Sequence, residues 1–372
     1  MQIEWKDQWR GAIVCCGLIF CVLTASARAT GLVDLPDRPA IAVSAAARAV
    51  FLDITAAGQR LIAVGERGVV VLSDDGGQTW RQAQVPTSVS LTGVAFPTPK
   101  QGWAIGHAGI VLHTEDGGET WTKQLDGVVA ARLALEAAEA NAQRVGPDDE
   151  EAQRHLEAAQ YLVDDGPDKP FLDLAFEDEQ HGFVVGAYNL IFRTDDGGRT
   201  WQPWLDRVDN PMGLHFYAIQ IVGSSVYLAG EQGLFLRSTD AGEHFERRET
   251  PYEGTYFAVM GNEQGELLLA GLRGNAYWSA DGGETFQLSQ VPIPVSFSAI
   301  ARDGGGTLYF ANQAGLLLVS HDGGRTLIPL NAPHLPPLAS LMAAGPDHLL
   351  TVGWGGVIPV PLGTAGAAGG TR

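Results

Sequence analysis

The sequence predicts an all-β fold, a seven-bladed β-propeller, into which an α-helical hairpin is inserted. Three observations lead to this prediction: one short segment recurs six times, apolar runs of strand length precede each copy, and glycine is frequent. Glycine accounts for 47 of the 372 residues, a larger share than the average of about 7%, and the glycines are spread along the chain. This distribution predicts many tight turns between short strands. The hydrophobic fraction of 45% excludes a disordered protein.

The recurring segment follows the pattern Ser/Thr-x-Asp-x-Gly-x-Thr-aromatic, and we call its six copies the boxes. They occupy residues 73–80, 114–121, 194–201, 238–245, 279–286 and 320–327, with aspartates Asp75, Asp116, Asp196, Asp240, Asp281 and Asp322. His244 and Leu327 depart from the pattern. Because each box lies between two short β runs, we interpret it as a hairpin turn whose aspartate accepts hydrogen bonds from backbone N–H groups. Six near-identical copies favour a structural role, since a catalytic acid is needed once.

The strands of the second repeat are predicted at residues 91–96, 102–106, 110–114 and 120–124. The same order recurs four times downstream, and a seventh copy at 338–360 keeps three strands without a box. Four-stranded units of about 40 residues are typical of propeller blades. We therefore expect a single propeller domain over residues 30–361, with residues 41–43 supplying the missing strand of the last unit.

Residues 126–170 separate the second box from the third and carry a helical pattern instead of strands. The first predicted helix aligns Val128, Ala131, Leu135, Ala138, Ala142 and Val145 on one face. Gly146 and Pro147 end it, and Asp148 is the expected N-cap of a second helix. That helix aligns Ala152, Leu156, Ala159 and Val163. Two such short helices are expected to pair as an antiparallel hairpin.

A candidate binding face follows from the connectivity of an up-and-down blade. The loops between second and third strands lie on the same face as the insertion, opposite the boxes. Glycines recur in these loops while the residues between them vary, as expected of positions that face a partner; ordinary surface loops vary as well. The candidate residues are Glu66, Arg67, His107, Tyr188, Asn189, Glu231, Gln232, Arg273, Gln313 and Trp354.

The first 29 residues are predicted to be a secretory signal. Lys6 and Arg10 precede an apolar run, and Ala27-Arg28-Ala29 matches a signal-peptidase site. An uncleaved anchor is the alternative, although the run is shorter than the roughly 20 residues of a spanning helix. All three cysteines lie within this run, so the mature protein is expected to be free of disulfides. We expect it to be exported and periplasmic, with a flexible tail at residues 362–372.

Charge restricts the partner. The net charge of −19, from 43 acidic and 24 basic residues, disfavours binding to nucleic acids and to anionic membranes.

The boxes resemble the Asp boxes of the BNR repeat proteins, over almost the whole chain beyond residue 29. Within that group, residues 102–121 (GWAIGHAGIVLHTEDGGETW) are similar to the repeat of the photosystem II stability/assembly factor-like branch. The resemblance implies a seven-bladed assembly factor that holds a subunit of a membrane protein complex. Similar exported proteins of non-photosynthetic bacteria imply an RND-type exporter as that complex. The hairpin and the acidity depart from the photosynthetic members, whose partner-binding face is basic.

The resemblance also raises an alternative, an Asp-box glycoside hydrolase of sialidase or glucanase type. The Arg-Ile-Pro segment of sialidases is missing from the first repeat, whereas Glu66 and Glu231 offer a candidate carboxylate pair. Phosphate-loop, zinc-protease and nucleophile-elbow motifs are missing from the sequence. We therefore predict a binding protein without catalytic residues, cofactor or metal.

Overall fold

The computed structural model describes residues 34–362. The predicted signal at residues 1–29 and all of the predicted tail except Leu362 lie outside the described residues. Residues 34–362 contain seven antiparallel sheets, of which six have four strands and the last has three. Within each sheet the strands follow one another in chain order, as predicted for propeller blades.

The strands have the following bounds. The first sheet contains β1 (Phe51–Ala57), β2 (Arg60–Gly65), β3 (Val70–Ser73) and β4 (Arg81–Gln82). The second contains β5 (Leu91–Ala95), β6 (Gly102–Gly106), β7 (Val111–Thr114) and β8 (Thr122–Leu125). The third contains β9 (Phe171–Phe176), β10 (Gly182–Gly186), β11 (Ile191–Thr194) and β12 (Gln202–Pro203). The fourth contains β13 (Phe216–Val222), β14 (Ser225–Gly230), β15 (Phe235–Ser238) and β16 (Glu246–Arg247).

The remaining sheets repeat the pattern. The fifth contains β17 (Tyr256–Gly261), β18 (Leu267–Gly271), β19 (Ala276–Ser279) and β20 (Gln287–Leu288). The sixth contains β21 (Phe297–Arg302), β22 (Leu308–Asn312), β23 (Leu317–Ser320) and β24 (Ile328–Pro329). The last contains β25 (Leu338–Ala343), β26 (His348–Gly353) and β27 (Gly356–Pro361). Two α-helices, α1 (Gly127–Val145) and α2 (Glu150–Asp165), lie between the second and third sheets in the chain. The described residues contain no helix long and apolar enough to cross a membrane.

Neighbouring sheets pack face to face in a propeller-like order. The first strands of successive sheets lie side by side, from β1 and β5 through to β21 and β25, and β25 also contacts β1. In the described part of the chain, each pair of neighbouring sheets shares its own hydrophobic cluster, and the last and first sheets share one too, around Phe51 and Leu350. Burial of apolar area at these interfaces is therefore the main source of stability.

The second strand of each sheet is buried along almost its whole length. In β2, every residue from Leu61 to Gly65 is buried, and the five residues of β6 and of β10 are all buried. Sheets on both sides cover these strands, which explains why the sequence shows continuous apolar runs there instead of alternation.

Residues 41–43 do not form the missing strand of the last sheet. They contact the first sheet instead: Val43 N donates to Gln82 Oε1 (3.0 Å), and Gln82 Nε2 donates to Ile41 O (3.0 Å). Sequence could not distinguish these two edges, because both offer free backbone groups to an extended segment. A short 3₁₀ turn, Ala46–Arg48, lies against β27.

The insertion is a helical hairpin, as predicted, but its buried faces coincide only in part with the predicted ones, at Ala131, Ala152 and Ala159. The buried residues of α1 are Gly127, Ala130, Ala131 and Ala134, whereas Val128 and Val145 are exposed. In α2, Ala152, Ala159 and Leu162 are buried and Val163 is exposed.

Close packing at the start of the hairpin explains why the buried face of α1 consists of glycine and alanine. A Cβ on Gly127 would lie 2.6 Å from Pro167 O and 2.9 Å from Ala108 O, so only the smallest side chains fit where α1 meets the second sheet. The N-cap of α2 is Asp149, one residue beyond the predicted Asp148, and its Oδ1 accepts from Ala152 N at 2.9 Å.

Candidate functional site: the glycine-turn face

Seven turns connect the second and third strands of the sheets, and we call them the glycine turns. In every one, a backbone N–H near the start of the turn donates to the carbonyl that precedes the first strand, as Glu66 N does to Val50 O (3.0 Å) and Trp354 N to Pro337 O (3.2 Å). A Cβ on Gly65 would lie 2.1 Å from Val50 O, which is why glycine stands there. The turns are thus held against their own sheets by one repeated bond.

The middle of the turn takes a left-handed conformation in several sheets. Arg67, Ala108, Gln232 and Arg273 have φ between 51° and 59°, and Tyr188 and Asn189 have φ of 54° and 62°. Non-glycine residues adopt this region at some cost in free energy. The backbone therefore repeats, while the side chains that it carries differ.

Most of the predicted face residues are exposed. They are Glu66, Arg67, His107, Tyr188, Gln232, Arg273, Gln313 and Trp354. Trp354, at 73% exposed, has the largest exposed fraction among the large apolar side chains of residues 34–362. The hairpin lies on the same side, because α1 packs against the glycine turn of the second sheet.

Asn189 and Glu231 are placed differently from the other face residues. Asn189 is buried; its Nδ2 donates to Leu205 O (3.2 Å), and its Oδ1 accepts from Asn210 Nδ2 (2.9 Å). Asn210 also bonds both backbone groups of Leu214. These bonds fix the connection at residues 204–215, between the third and fourth sheets, so Asn189 supports the face without being part of its surface.

Glu231 is half-buried and bonds to His215, which belongs to a series of aromatic ring contacts. Its Oε2 accepts from His215 N (3.0 Å) and lies 2.8 Å from His215 Nδ1. The His215 ring lies 4.8 Å from the Tyr188 ring and 6.2 Å from the Tyr217 ring, and Tyr217 contacts Phe257 at 5.2 Å. Lys169 Nζ lies 5.3 Å from the centre of the Tyr188 ring. Aromatic rings are thus concentrated at this part of the face.

The boxes form the turns between third and fourth strands, on the opposite face. In the first box, Asp75 Oδ1 accepts from Thr79 N (2.9 Å), and Oδ2 accepts from the Thr79 hydroxyl (2.6 Å). The Ser73 hydroxyl donates to Asp75 Oδ1 at 2.8 Å. The bonds to Thr79, above all the one from its hydroxyl, lower the pKa of Asp75 to about 2. Equivalent backbone bonds occur at Asp116, Asp196, Asp240, Asp281 and Asp322.

Among residues 34–362, no group of three or more His, Cys, Asp or Glu side chains is arranged to hold a metal ion.

Comparison with known proteins assigns the family. The family model described as photosynthesis system II assembly factor YCF48 matches residues 39–140 and 154–311. The chain belongs to this family. The residues between the two matched segments form the end of α1 and the start of α2, so the tip of the hairpin departs from the family pattern.

The curated relatives of the YCF48 family match over short segments. Photosystem II assembly lipoprotein Ycf48 of Synechococcus sp. (strain CC9902) is 32% identical over 100 residues, which is 26% of this chain and 30% of the relative. The photosystem II stability/assembly factor HCF136 of Oryza sativa subsp. japonica is 28% identical over 27% of this chain and 26% of its own. The chain thus matches less than a third of these relatives' length.

Solved structures of the YCF48 family share the fold. YCF48 bound to D1 peptide has a TM-score of 0.59 at 17% identity and covers 85% of this chain and 94% of its own. YCF48 from Cyanidioschyzon merolae has a TM-score of 0.60 at 14% identity, over 84% of this chain and 96% of its own. These structures and the seven sheets support the predicted all-β, propeller-like architecture.

Two aspartates in the first strands, Asp53 and Asp173, have a role that no sequence motif predicted. Asp53 Oδ2 accepts from Val94 N of the second sheet (3.0 Å), and Oδ1 accepts from the Ser340 hydroxyl of the last sheet (2.8 Å). Asp173 Oδ2 accepts from Ile219 N of the fourth sheet at 2.8 Å. Each carboxylate therefore links its own sheet to a neighbour. The tripeptide Phe-Leu-Asp, which begins both β1 and β9, is the signal that would have revealed them.

Burial gives these two aspartates unusual protonation behaviour. Part of each side chain is exposed, but the surrounding strands enclose its carboxyl group. Burial raises the pKa of Asp53 to about 6 and that of Asp173 to about 7, and the charge of Asp53 adds to the effect on Asp173. Because their oxygens bond to neighbouring strands, we interpret them as links between sheets and not as a reactive pair.

Proposed function

We propose that this chain is an exported, non-catalytic assembly or accessory factor that holds a subunit of a membrane protein complex on its glycine-turn face. One observation carries the proposal: seven turns held by the same backbone bond present different exposed side chains. A constant backbone with varied side chains is suited to recognising one particular surface.

The composition of this face supports binding to a protein. Aromatic and arginine side chains dominate the energetics of protein–protein interfaces. Trp354 and Tyr188 are exposed aromatics in two of the turns, and Arg67 and Arg273 are exposed in two others. These four side chains are the expected anchors.

The alternative function, a glycoside hydrolase, finds less support. Such enzymes place two carboxyl groups about 5–10 Å apart across the scissile bond. Glu66 belongs to the first sheet and Glu231 to the fourth, so two sheets intervene in the ring, and Glu231 is already bonded to His215. We therefore expect neither to be catalytic.

The finer proposal is that the partner is an RND-type exporter and that the protein acts in the periplasm. It rests on the resemblance to exported proteins of non-photosynthetic bacteria and on the predicted signal at residues 1–29. The acidity of the chain, with a net charge of −19, supports a partner other than the one that the basic face of the photosynthetic members holds.

Affinity capture tests the proposal. The tagged mature protein is incubated with detergent-solubilised envelopes of its host, and we expect an RND-type exporter subunit in the eluate. Trp354→Ala is expected to reduce capture about tenfold, since buried aromatic anchors contribute about 1–2 kcal/mol or more. Leu288→Ala is the matched control, because Leu288 is 64% exposed but lies on an outer strand.

Two outcomes would contradict the proposal. One is that envelopes yield no membrane protein, or yield the same amount with Trp354→Ala as with the parent protein. The other is that the purified protein hydrolyses glycans, and that the Glu66→Gln/Glu231→Gln variant loses this activity while it keeps its melting temperature. The second result would favour the glycoside hydrolase.

A further inference from the structure

A groove lies between the helical hairpin and the connection from the third to the fourth sheet. Its volume is about 270 Å³, close to the lower end of the range for ligand pockets, roughly 300–1,000 Å³. Apolar side chains line much of it, including Leu162 of α2, Leu205 and Val208 of the connection, and Tyr188 of the third glycine turn. The insertion, which departs from the family pattern at its tip, forms one wall.

Large apolar side chains are exposed around this groove. Tyr161 is 59% exposed, Met212 is 60% exposed and Tyr188 is 47% exposed, and all three line the groove. Apolar groups concentrated in one concave surface mark interaction sites more often than apolar groups scattered singly. The groove is therefore suited to an apolar side chain of a partner.

The wall opposite the hairpin is fixed before any partner arrives. The buried Asn189–Asn210 pair holds the connection, and Arg207 stacks over Trp204 with 4.7 Å between its guanidinium carbon and the ring centre. A preformed wall lowers the entropy lost on binding.

Unbalanced acidic groups border the groove. Glu151, Asp206 and Asp209 line it, and within residues 34–362 neither Glu151 nor Asp209 forms an ion pair. The cation Arg154 lies 3.9 Å from Glu150 and is thus partly neutralised. Residues 126–170 contain eleven acidic and four basic side chains, a difference of −7. A basic group next to the apolar anchor would complement this charge.

We propose that this groove binds a polypeptide segment of the partner in which an aromatic or aliphatic side chain stands beside lysine or arginine. The proposal rests on the proposed function and names the segment that docks at the hairpin. The apolar side chain occupies the space between α2 and the connection, and the cation faces Glu151 and Asp209. His155 also lines the groove, although its Nδ1 is buried and has no hydrogen-bond partner in the described region.

The groove also indicates the direction in which the segment continues. Tyr188 belongs to the groove and begins the series of ring contacts through His215 and Tyr217 to Phe257. A segment that leaves the groove at Tyr188 therefore meets further aromatic rings.

Methionine methyl NMR tests the proposal with a defined probe, the blocked heptapeptide Gly-Lys-Leu-Tyr-Lys-Leu-Gly. Met212 lies in the groove, whereas Met260 and Met342 lie in the first strands of the fifth and last sheets. We expect the peptide to shift the Met212 methyl resonance in a saturable manner and to leave those of Met260 and Met342 unchanged. Met212→Leu assigns the signal. A peptide with glutamate in place of both lysines, and one with serine in place of leucine and tyrosine, are both expected to produce no shift.

Variants of the groove sharpen the test. Ala158→Trp places a large side chain at an exposed position that lines the groove, and we expect it to weaken peptide binding at least about tenfold. Ala140→Trp, on an exposed position of α1 outside the groove, is the matched control. Glu151→Gln/Asp209→Asn is expected to weaken binding about three- to tenfold and to reduce its salt dependence.

Several results would overturn the inference. The first is a shift of the Met212 resonance with the glutamate peptide, and the second is equal peptide binding by Ala158→Trp and the parent protein. The third is a shift of the Met212 resonance when protein concentration is raised without peptide, which would indicate that a second copy of the chain occupies the groove. Full capture of the exporter subunit by Ala158→Trp would also overturn it while leaving the proposed function intact. If the parent protein captures no membrane protein but binds the peptide as expected, the proposed function fails and the groove assignment stands.

Discussion

The aspartates of the box turns and those of the inner strands show how differently one residue type behaves in two regions of this protein. Asp75 and Asp281 lie in outer turns that water reaches, and hydrogen bonds, first from the Thr79 and Thr285 hydroxyls, lower their pKa to about 2. Asp53 and Asp173 also accept hydrogen bonds, but burial raises their pKa to about 6 and about 7. Access to water, more than the presence of hydrogen bonds, therefore decides which carboxyl group stays charged.

The largest expected effect is on the pH dependence of stability. The inner aspartates bind protons more tightly in the folded state than in the unfolded state, where the pKa is about 3.9. Their stabilising contribution is therefore fully present below about pH 4 and is lost as pH rises through 6 to 7. We expect the free energy of unfolding to fall by about 3–7 kcal/mol between about pH 4 and pH 8, measured by urea unfolding. Asp53→Asn/Asp173→Asn is expected to remove most of that fall.

The box aspartates have the opposite effect on the pH dependence of the free energy of unfolding. Because their folded-state pKa is depressed, their contribution is present above about pH 4 and is lost as pH falls toward 2. A double Asn variant that retains the parent's fall in stability between pH 4 and 8 would contradict the role assigned to Asp53 and Asp173.

The second prediction concerns the box turns. Asp196→Ala removes the acceptor for Thr200 N, the Thr200 hydroxyl and the Thr194 hydroxyl, and we expect it to destabilise the protein by about 1–3 kcal/mol. Asp195→Ala is the matched control, because the neighbouring Asp195 makes an ion pair with Arg193 that is worth about 0–1 kcal/mol. Chemical denaturation measures both. An Asp196→Ala protein with unchanged melting temperature but no partner capture would reverse the structural interpretation.

The two groups of aspartates also differ in how far the sequence alone predicted their structural role. The boxes predicted the turns because each is a local motif whose bonds join residues within eight positions. The apolar runs predicted the second strands because sheets cover both of their faces. The inner aspartates were missed because their partners, such as Ser340 for Asp53, are distant in the chain.

The candidate site was predictable to a similar extent. Connectivity predicted which loops share a face with the hairpin, and eight of the ten candidate residues are exposed there. The burial of Asn189 depends on Asn210, and the buried face of α1 depends on close contact at Gly127. Tertiary packing sets both, and local spacing does not encode it. The groove has the same origin, because it forms only when α2 and the connection at residues 204–215 come together.

The third prediction uses one substitution at both kinds of aspartate. In Asp53→Asn at about pH 8, the amide oxygen can take the place of Asp53 Oδ2 and accept from Val94 N, and Nδ2 can take the place of Oδ1 and donate to the Ser340 oxygen. The buried charge is also removed, so we expect higher stability, by about 1–3 kcal/mol. In Asp196→Asn, the amide faces donors, and we expect a loss of about 1 kcal/mol. Thermal unfolding of both variants at one pH gives the two signs. The same sign at both positions would show that access to water does not set the effect of the carboxylate on stability.

The smallest expected effect is at the box that departs from the pattern. His244 replaces the usual threonine, and its Nδ1 lies 2.8 Å from Asp240 Oδ2, where the histidine side chain is 80% exposed. Exposed ion pairs contribute little, and the main-chain bond from His244 N to Asp240 Oδ1 does not need the imidazole. His244→Thr, which restores the pattern, should therefore change stability by less than about 0.5 kcal/mol at neutral pH, measured by melting temperature. A larger loss would mean that the imidazole stabilises this turn by more than a surface contact, and that the boxes do not depend on their aspartate alone.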